Sequence, residues 1–178
     1  ATATPLPEVS GVDEIADPNA AADNGQLILI HDGRKVKLGR AVNSLTTVSG
    51  DMSESLRKIK IVEALDLIRS QCRGVIEDKY IRMANSYDNK MLLVSEIHAF
   101  LQELESEGVI QAGSSFVEIN LVKQKQWLKE HGVDVSGLSD QEILKADTGS
   151  WVFLRMGGAV LDAMEDFDLD YYMGGEGA

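Results

Sequence analysis

Hydrophobic residues recur every three or four positions across residues 54–78, which predicts an α-helix with one continuous buried face. Charged and small polar residues occupy the opposite side, which is predicted to be solvated. Val62 and Leu67 lie off the main stripe and indicate that the helix is covered on more than one side. The predicted buried face consists of Ile61, Ala64, Leu65, Ile68, Cys72, Val75 and Ile76.

A β-hairpin is predicted ahead of this helix. Residues 26–30 form a short hydrophobic run, Asp32 and Gly33 are a two-residue turn signal, and residues 34–38 alternate as the return strand. A strand-like segment at residues 39–47 then leads towards the helix.

A second helix is predicted after the first, capped by Asp88 and stopped by Gly108. Glutamates at positions 103, 105 and 107 crowd its carboxyl end, where the helix dipole disfavours acidic residues. A basic partner would account for their position. Further along, the pattern predicts a strand at residues 116–121, a short helix at residues 122–131, and another short helix opened by the capping box at residues 139–142.

The carboxyl end combines a turn with strict alternation. Residues 150–156 are strand-like, Gly157 and Gly158 mark a turn or bulge, and the chain extends again from Val160, which predicts a second hairpin. Period-two alternation then predicts a strand over residues 163–173 that needs a sheet edge to join. Its hydrophobic positions are Phe167, Leu169, Tyr171 and Met173, which alternate with Asp166, Asp168, Asp170 and Tyr172.

These elements predict an α/β fold of the α+β type, in which helices pack on a sheet and a β-hairpin lies near each end. With 178 residues, 44% of them hydrophobic, the chain has the size and the core of one domain. Residues 1–24 hold all three prolines and few large hydrophobic residues, which predicts a flexible arm or linker. The domain is predicted over residues 25–173, with a terminal strand arm from about residue 160 and a flexible tail at residues 174–178.

Acidic residues are concentrated at the two ends of the chain, whose formal charge is −12. Residues 1–24 contain five carboxylates and residues 162–178 contain six, and neither segment has a lysine or arginine. Residues 25–82 carry eleven basic and seven acidic residues. This arrangement disfavours nucleic-acid binding and allows the ends of one copy to dock on the body of another. Acidic tails that only keep a protein dissolved would give the same pattern.

The sequence holds no pattern typical of a catalytic, cofactor or metal site. The three histidines are isolated, and Cys72 is interpreted as a reduced core thiol. The aspartates at positions 166, 168 and 170 imitate the start of a calcium loop, but Tyr171 stands where such a loop needs glycine. No hydrophobic run approaches the roughly 20 residues that span a bilayer. We therefore expect no catalytic residue, cofactor, metal or membrane partner, and interpret the chain as a binding or assembly protein rather than an enzyme.

Four short segments gain meaning from their order along the chain. They are residues 39–47 (GRAVNSLTT), 58–68 (KIKIVEALDLI), 80–89 (YIRMANSYDN) and 160–166 (VLDAMED). Together they resemble the carboxyl-terminal domain of contractile tail sheath proteins, above all those of phages and phage-like particles of Gram-positive bacteria. The resemblance extends over residues 25–173. Members of that family are usually much longer, so the chain is expected to be a fragment, with residues 1–24 as the remnant of a missing amino-terminal region.

The resemblance implies a structural subunit. In this family the domain is an α/β sandwich that lines the inside of the sheath around the tail tube, and neighbouring subunits exchange strands. The implied assembly is an open helix that contracts and drives the tube through the target envelope. The implied partners are neighbouring sheath subunits, the tail tube protein, the baseplate and the tail terminator, without direct contact to nucleic acid. The implied location is the virion tail, after synthesis in the host bacterial cytoplasm.

The resemblance also implies which residues make these contacts. The terminal strand is expected to be exchanged, or to accept exchange, through Asp166, Phe167, Asp168, Leu169, Asp170, Tyr171 and Met173. From the charge distribution, its aspartates are expected to face the basic residues Arg34, Lys35 and Lys37 of another copy. The tube-facing surface is expected to include Arg57, Lys58 and Lys60, although a solvated helix start would look the same.

Two other interpretations stay open at this point. A small soluble α/β enzyme with a dispersed active site would form a compact closed assembly with a concave pocket. An acidic adaptor would bind a basic partner through its ends. Hollow striated tubes of the full-length protein in electron microscopy would exclude both.

Overall fold

The computed structural model describes residues 6, 7, 9, 15, 17–50 and 53–171. The chain forms two compact units, the first made of residues up to Val62 together with those from Asp162 onward, and the second made of Glu63–Leu161. Met173 of the predicted exchange strand and the predicted tail lie outside the described residues.

The first unit contains a short helix and a hairpin. The helix α1 (Pro18–Asp23) is capped by the side chain of Asp17. Strand β1 (Leu29–His31) pairs antiparallel with β2 (Val36–Leu38). The predicted hairpin is confirmed, and its turn is closed by Gly33, whose φ of 85° lies in the left-handed region that favours glycine.

The predicted central helix is confirmed as three consecutive pieces. A 3-10 turn (Glu54–Arg57) is followed by α2 (Ile59–Val75) and by a π-helical turn (Ile76–Tyr80). The buried stripe is narrower than predicted, because Leu65 is 41% exposed. Leu67, which lies off the stripe and was expected to be covered on a second side, is 42% exposed among the described residues. The prediction that Leu65 is buried is therefore wrong. The fully buried positions of the stripe are Ile61, Ala64 and Cys72.

The second unit is built on α3 (Tyr87–Ser106). Its cap is Ser86, whose hydroxyl accepts a hydrogen bond from the Asn89 amide, so the predicted cap at Asp88 is wrong. Asp88 lies in the first turn instead, where the helix dipole favours a carboxylate. One face of α3 packs in the main core, which consists of Cys72, Leu93, Ile97, Leu101, Leu104 and Ile110.

A second sheet packs against this core. Strand β3 (Phe116–Ile119) pairs antiparallel with β4 (Leu154–Gly157), so β4 does not form the predicted hairpin with the residues that follow it. Gly157 serves close packing rather than a turn, because a Cβ at this position would lie 2.6 Å from the ring of Phe116. Val160 then forms an isolated bridge with Ile110.

Two short helices complete the second unit. Helices α4 (Leu121–Glu130) and α5 (Asp140–Lys145) enclose a smaller core of Leu128, Val135 and Ile143. The predicted capping box is confirmed, since Ser139 and Glu142 bond each other's amides. Helices combined with two small antiparallel sheets are the α+β class expected from the sequence.

Candidate subunit interface

Residues 162–171, named the terminal arm below, have no regular secondary structure. Within the described part of the chain, no backbone group of residues 163–171 bonds to another backbone group. The strand predicted over residues 163–173 is therefore wrong for the single chain. Backbone amides and carbonyls of a strand need a neighbouring edge, and the described residues of this one copy supply none to the arm.

The hydrophobic side chains of the terminal arm are exposed. Phe167, Leu169 and Tyr171 are 79%, 88% and 83% accessible to solvent, and Met164 is 85% accessible. Large hydrophobic side chains exposed this close together are typical of a surface that binds another molecule.

Ion pairs hold the base of the terminal arm to the rest of the first unit. The Arg40 guanidinium donates two hydrogen bonds to the Asp166 carboxylate, over 3.1 Å and 2.5 Å. Lys58 Nζ donates to the Glu165 carboxylate, which also lies 3.6 Å from Arg40. Asp162 lies 3.7 Å from the same lysine. These five side chains are named the anchor.

The backbone places the two cations of the anchor side by side. Arg40 follows β2, and Lys58 directly precedes α2. The Ile59 amide donates to the Ala41 carbonyl over 3.0 Å, and Val42 and Lys58 form an antiparallel bridge. The hairpin and the central helix thus each supply one cation.

The anchor joins three of the four sequence segments that carried the resemblance. Lys58 and Asp166 were singled out from the sequence for other contacts, whereas Arg40, Asp162 and Glu165 were missed. Nothing in the local sequence connects a cation near residue 40 with a carboxylate near residue 165. The fixed order of the segments was the one signal that pointed to a shared site.

Burial differs across the anchor. The Glu165 side chain is 12% exposed and lies between two cations, whereas the Asp166 side chain is 75% exposed. Hydrogen bonding by Arg40 lowers the pKa of Asp166, although desolvation opposes this effect. The same hydrogen bond raises the pKa of Arg40. Both shifts favour the charged and paired state.

The turn of the first hairpin carries the basic residues that were expected to face the arm of another copy. The Asp32 carboxylate accepts the amides of Lys35 and Arg34, each over 3.0 Å, and lies 3.2 Å from Lys37 Nζ. These contacts lower the pKa of Asp32 to about 2. Lys37 thus has a carboxylate within its own hairpin, whereas Arg34 and Lys35 form no ion pair with any described residue.

The outer edge of β1 is open among the described residues. A hydrogen bond of 2.9 Å from the Gly39 amide to the Ile28 carbonyl shows which opposite residues of the hairpin bond each other. Bonding alternates along an antiparallel pair, so the amides and carbonyls of Leu29 and His31 point away from β2. A strand from elsewhere could pair with these groups.

The outer edge of β2 is partly occupied. The Leu6 amide donates to the Val36 carbonyl over 2.9 Å, so Leu6 lies on this side of the hairpin. Beside the hairpin a groove of about 400 Å³ is lined by Ile28 and Ile30 of the hairpin side and by Met164 and Phe167 of the arm. Hydrophobic side chains of an added strand would fit such a groove.

The three residues expected to face the tube lie in different surroundings. Arg57 donates to the Asp23 carbonyl over 2.6 Å, and Lys58 belongs to the anchor. Lys60 is exposed and forms no ion pair within the described residues. The first two side chains are thus held by contacts inside the first unit.

The second unit has a groove of about 690 Å³ with hydrophobic walls. Lys90 is one of its lining residues, is almost fully buried, and donates to the Thr148 hydroxyl over 3.0 Å. Burial lowers the pKa of Lys90, and burial raises the pKa of the Cys72 thiol, which lies in the core as predicted.

Among the residues that the structure describes, no group of three or more His, Cys, Asp or Glu side chains could hold a metal ion. No helix of that part is long and hydrophobic enough to cross a bilayer.

Comparison with known proteins gives a consistent match. Residues 51–173 match the family model of the phage tail sheath C-terminal domain. The tail sheath protein of Clostridium phage phiCD119 is 36% identical over 175 residues, which cover 97% of this chain and 49% of that protein. The chain thus spans about half the length of this curated relative.

Two solved structures are similar to the chain. The sheath tail protein from Desulfitobacterium hafniense has a TM-score of 0.51 at 20% identity, over 57% of this chain and 25% of that one, which shows a common fold. The sheath tail protein from Listeria innocua has a TM-score of 0.45 at 21% identity, over 82% of this chain and 33% of that one.

Proposed function

The chain belongs to the phage tail sheath family, whose C-terminal domain covers residues 51–173, and we propose that it polymerises into a contractile sheath through strands exchanged between neighbouring subunits. A tail sheath protein is a structural component of the virion tail, so the chain is a structural sheath subunit. The proposal concerns how such subunits are linked and how they move.

The unpaired terminal arm is the observation that carries this proposal. Its sequence alternates as a strand does, yet its described backbone lacks a partner and its hydrophobic row is exposed. Adding a strand to an open edge satisfies backbone groups and buries alternate side chains at the same time. The arm of one copy therefore pairs with an edge on the next copy.

We assign β1 as the acceptor edge. The outward groups of Leu29 and His31 can bond an incoming strand, and the adjacent groove can receive its hydrophobic side chains. The aspartates of the incoming arm then face the hairpin turn, where Arg34 and Lys35 have no carboxylate among the described residues. Lys37 can share its charge between Asp32 and the arm.

A head-to-tail contact of this kind generates an open helix rather than a closed ring. The backbone hydrogen bonds between exchanged strands can persist while the rest of each subunit rotates. Subunits can therefore repack into the contracted helix and stay joined through these strands. The sheath surrounds the tail tube, is joined to the baseplate and the tail terminator, and drives the tube through the target envelope. Lys60, with Arg57 and Lys58, remains our proposal for the tube-facing surface.

The proposed organisation of the chain follows the same scheme. Residues 1–24 act as an arm or linker that ends in α1, residues 25–173 form the sheath domain, and residues 174–178 form a tail. Of the alternative interpretations, a small enzyme would use the groove beside Lys90 and an acidic adaptor would use the terminal arm, but neither accounts for the match to the sheath family.

Neutralising the aspartate row tests the proposal. The double variant Asp168→Asn and Asp170→Asn leaves the pair of Asp166 with Arg40 intact. It is expected to self-associate more weakly than the wild type at low salt, because it loses the attraction to the basic turn of the next copy. At about 1 M salt, where the screening length is about 3 Å, the two proteins are expected to converge. Sedimentation velocity over a range of salt concentrations measures both.

A matched control removes two carboxylates from the second unit, with Glu103→Gln and Glu107→Gln. This variant has the same net charge as the aspartate variant and is expected to associate like the wild type. Association that is unchanged by the aspartate substitutions, or equally weakened by the control, would count against the proposed contact.

A further inference from the structure

We propose that Glu165, together with Lys58 and Arg40, positions the terminal arm for strand exchange. These residues keep the base of the arm on its own subunit while the residues beyond Asp166 pair with a second copy. The inference rests on the proposed function, because it concerns the same arm, and it adds the residues that divide the arm into a fixed part and an exchanged part.

The part of the anchor around Glu165 is difficult to separate from the first unit. The Glu165 carboxylate is nearly buried and contacts both Lys58 and Arg40. Shielded pairs are screened little by salt. Opening the arm at this point would leave a partly buried cation pair without its central carboxylate, which is strongly unfavourable.

The outer part of the anchor can open more easily. Asp166 makes a two-bonded contact with Arg40, a geometry that favours specificity, but its side chain is mostly in solvent. Exposed ion pairs contribute little to stability. From Phe167 onward no ion pair holds any described residue of the arm. The boundary between the fixed and the exchanged part thus lies at Asp166 and Phe167.

A fixed base changes the energetics of exchange. Residues that are already ordered lose less conformational freedom when the arm pairs with a second copy. A fixed base also lets the exchanged strand transmit the movement of one subunit to the next, because the link begins at the body of the subunit rather than at a loose tether. Glu165, Lys58 and Arg40 are therefore positioning residues, which act on the neighbour through the arm.

The first measurement tests the anchor in the dilute single chain. Nitroxide labels at Ser44→Cys and Met164→Cys, both exposed and in the first unit, are introduced into a Cys72→Ala background. Double electron–electron resonance is expected to give a narrow distance distribution in the otherwise unchanged chain and a broad one in Glu165→Gln and Lys58→Met. Lys58→Arg, which keeps the charge, is expected to restore the narrow distribution.

A matched control is Glu54→Gln, which removes one carboxylate of the first unit that has no ion pair among the described residues. It is expected to leave the distribution narrow. A narrow distribution in Glu165→Gln would overturn the anchor.

The second measurement tests the role of the anchor in strand exchange. Glu165→Gln and Lys58→Met are expected to raise the dissociation constant for self-association about ten-fold, while Lys58→Arg and Glu54→Gln leave it unchanged. A broad distance distribution combined with unchanged association would overturn the positioning role and leave strand exchange intact. Truncation after Asp166 separates the two ideas, because association that survives this truncation would refute strand exchange itself, and the inference with it.

Discussion

A single carboxylate closes the loop that follows α3. Glu105 accepts the Gly113 amide over 2.9 Å and the Ser115 amide over 2.8 Å. These two hydrogen bonds compensate for the unfavourable position of an acid in the last turn of a helix. The charge pattern led us to expect a basic partner at this helix end, but for Glu105 the partners are backbone amides, which carry no signal in the sequence.

Glu105 makes the stability of the second unit sensitive to acid. Hydrogen bonding from Ser115 and from the Gly113 amide lowers the pKa of Glu105 from 4.5 to about 2. Because the pKa is lower in the folded state, the contribution to stability is complete above about pH 4.5 and is lost as the pH falls towards 2. Glu105→Gln is expected to lower the Tm at neutral pH and to flatten its dependence on pH over that acidic range.

Thermal unfolding monitored by circular dichroism at a series of pH values checks this prediction. Glu103→Gln, in the same helical turn and exposed, is the control and is expected to keep the wild-type profile. Equal slopes for Glu105→Gln and the wild type would contradict the assigned hydrogen bonds.

At the scale of elements, α3 holds the core of the second unit through one face. Leu101 is 2% exposed on that face, and Leu92 is 57% exposed on the other. Leu101→Ala is expected to lower the free energy of unfolding by about 2–5 kcal/mol, because it removes buried hydrophobic area and leaves a cavity. Leu92→Ala is expected to change it by less than about 0.5 kcal/mol. Denaturant unfolding measures both, and similar losses in the two variants would show that the assignment of the faces is wrong.

Elements defined by local patterns could be predicted from the sequence. The first hairpin has its turn signal at Asp32 and Gly33, and the box at Ser139 and Glu142 opens α5 where expected. The partner of β4 could not be predicted in this way, because β3 lies far upstream and no local residue records the pairing. The glycine at position 157 gave a misleading turn signal, since it serves the contact with the Phe116 ring.

The terminal arm shows a different limit of sequence patterns. Period two describes which side chains share a face once a strand exists, but it does not supply the edge that a strand requires. In the single chain the described residues of the arm lack that edge, so the pattern and the structure differ. This difference supports the proposal that the arm pairs with another copy.

At the scale of the whole molecule, the acidic ends and the more basic middle are the features that distinguish the chain from an ordinary compact domain. The sequence alone predicts this charge distribution in full. It also predicts the family, from the order of four segments. It could not predict that part of the acidic terminus is neutralised within the same copy, since Arg40 and Asp166 meet only in the folded unit. Only the residues beyond the anchor are left for a neighbour.

Strand exchange is the central claim, and amide hydrogen exchange before and after assembly tests it most directly. The dilute chain and the assembled protein are compared by mass spectrometry, with peptides that cover residues 167–171 and β1. Rapid exchange in the dilute chain and strong protection of both segments after assembly are the predicted result. Arm amides that exchange as fast in the assembled protein as in the dilute chain would contradict it.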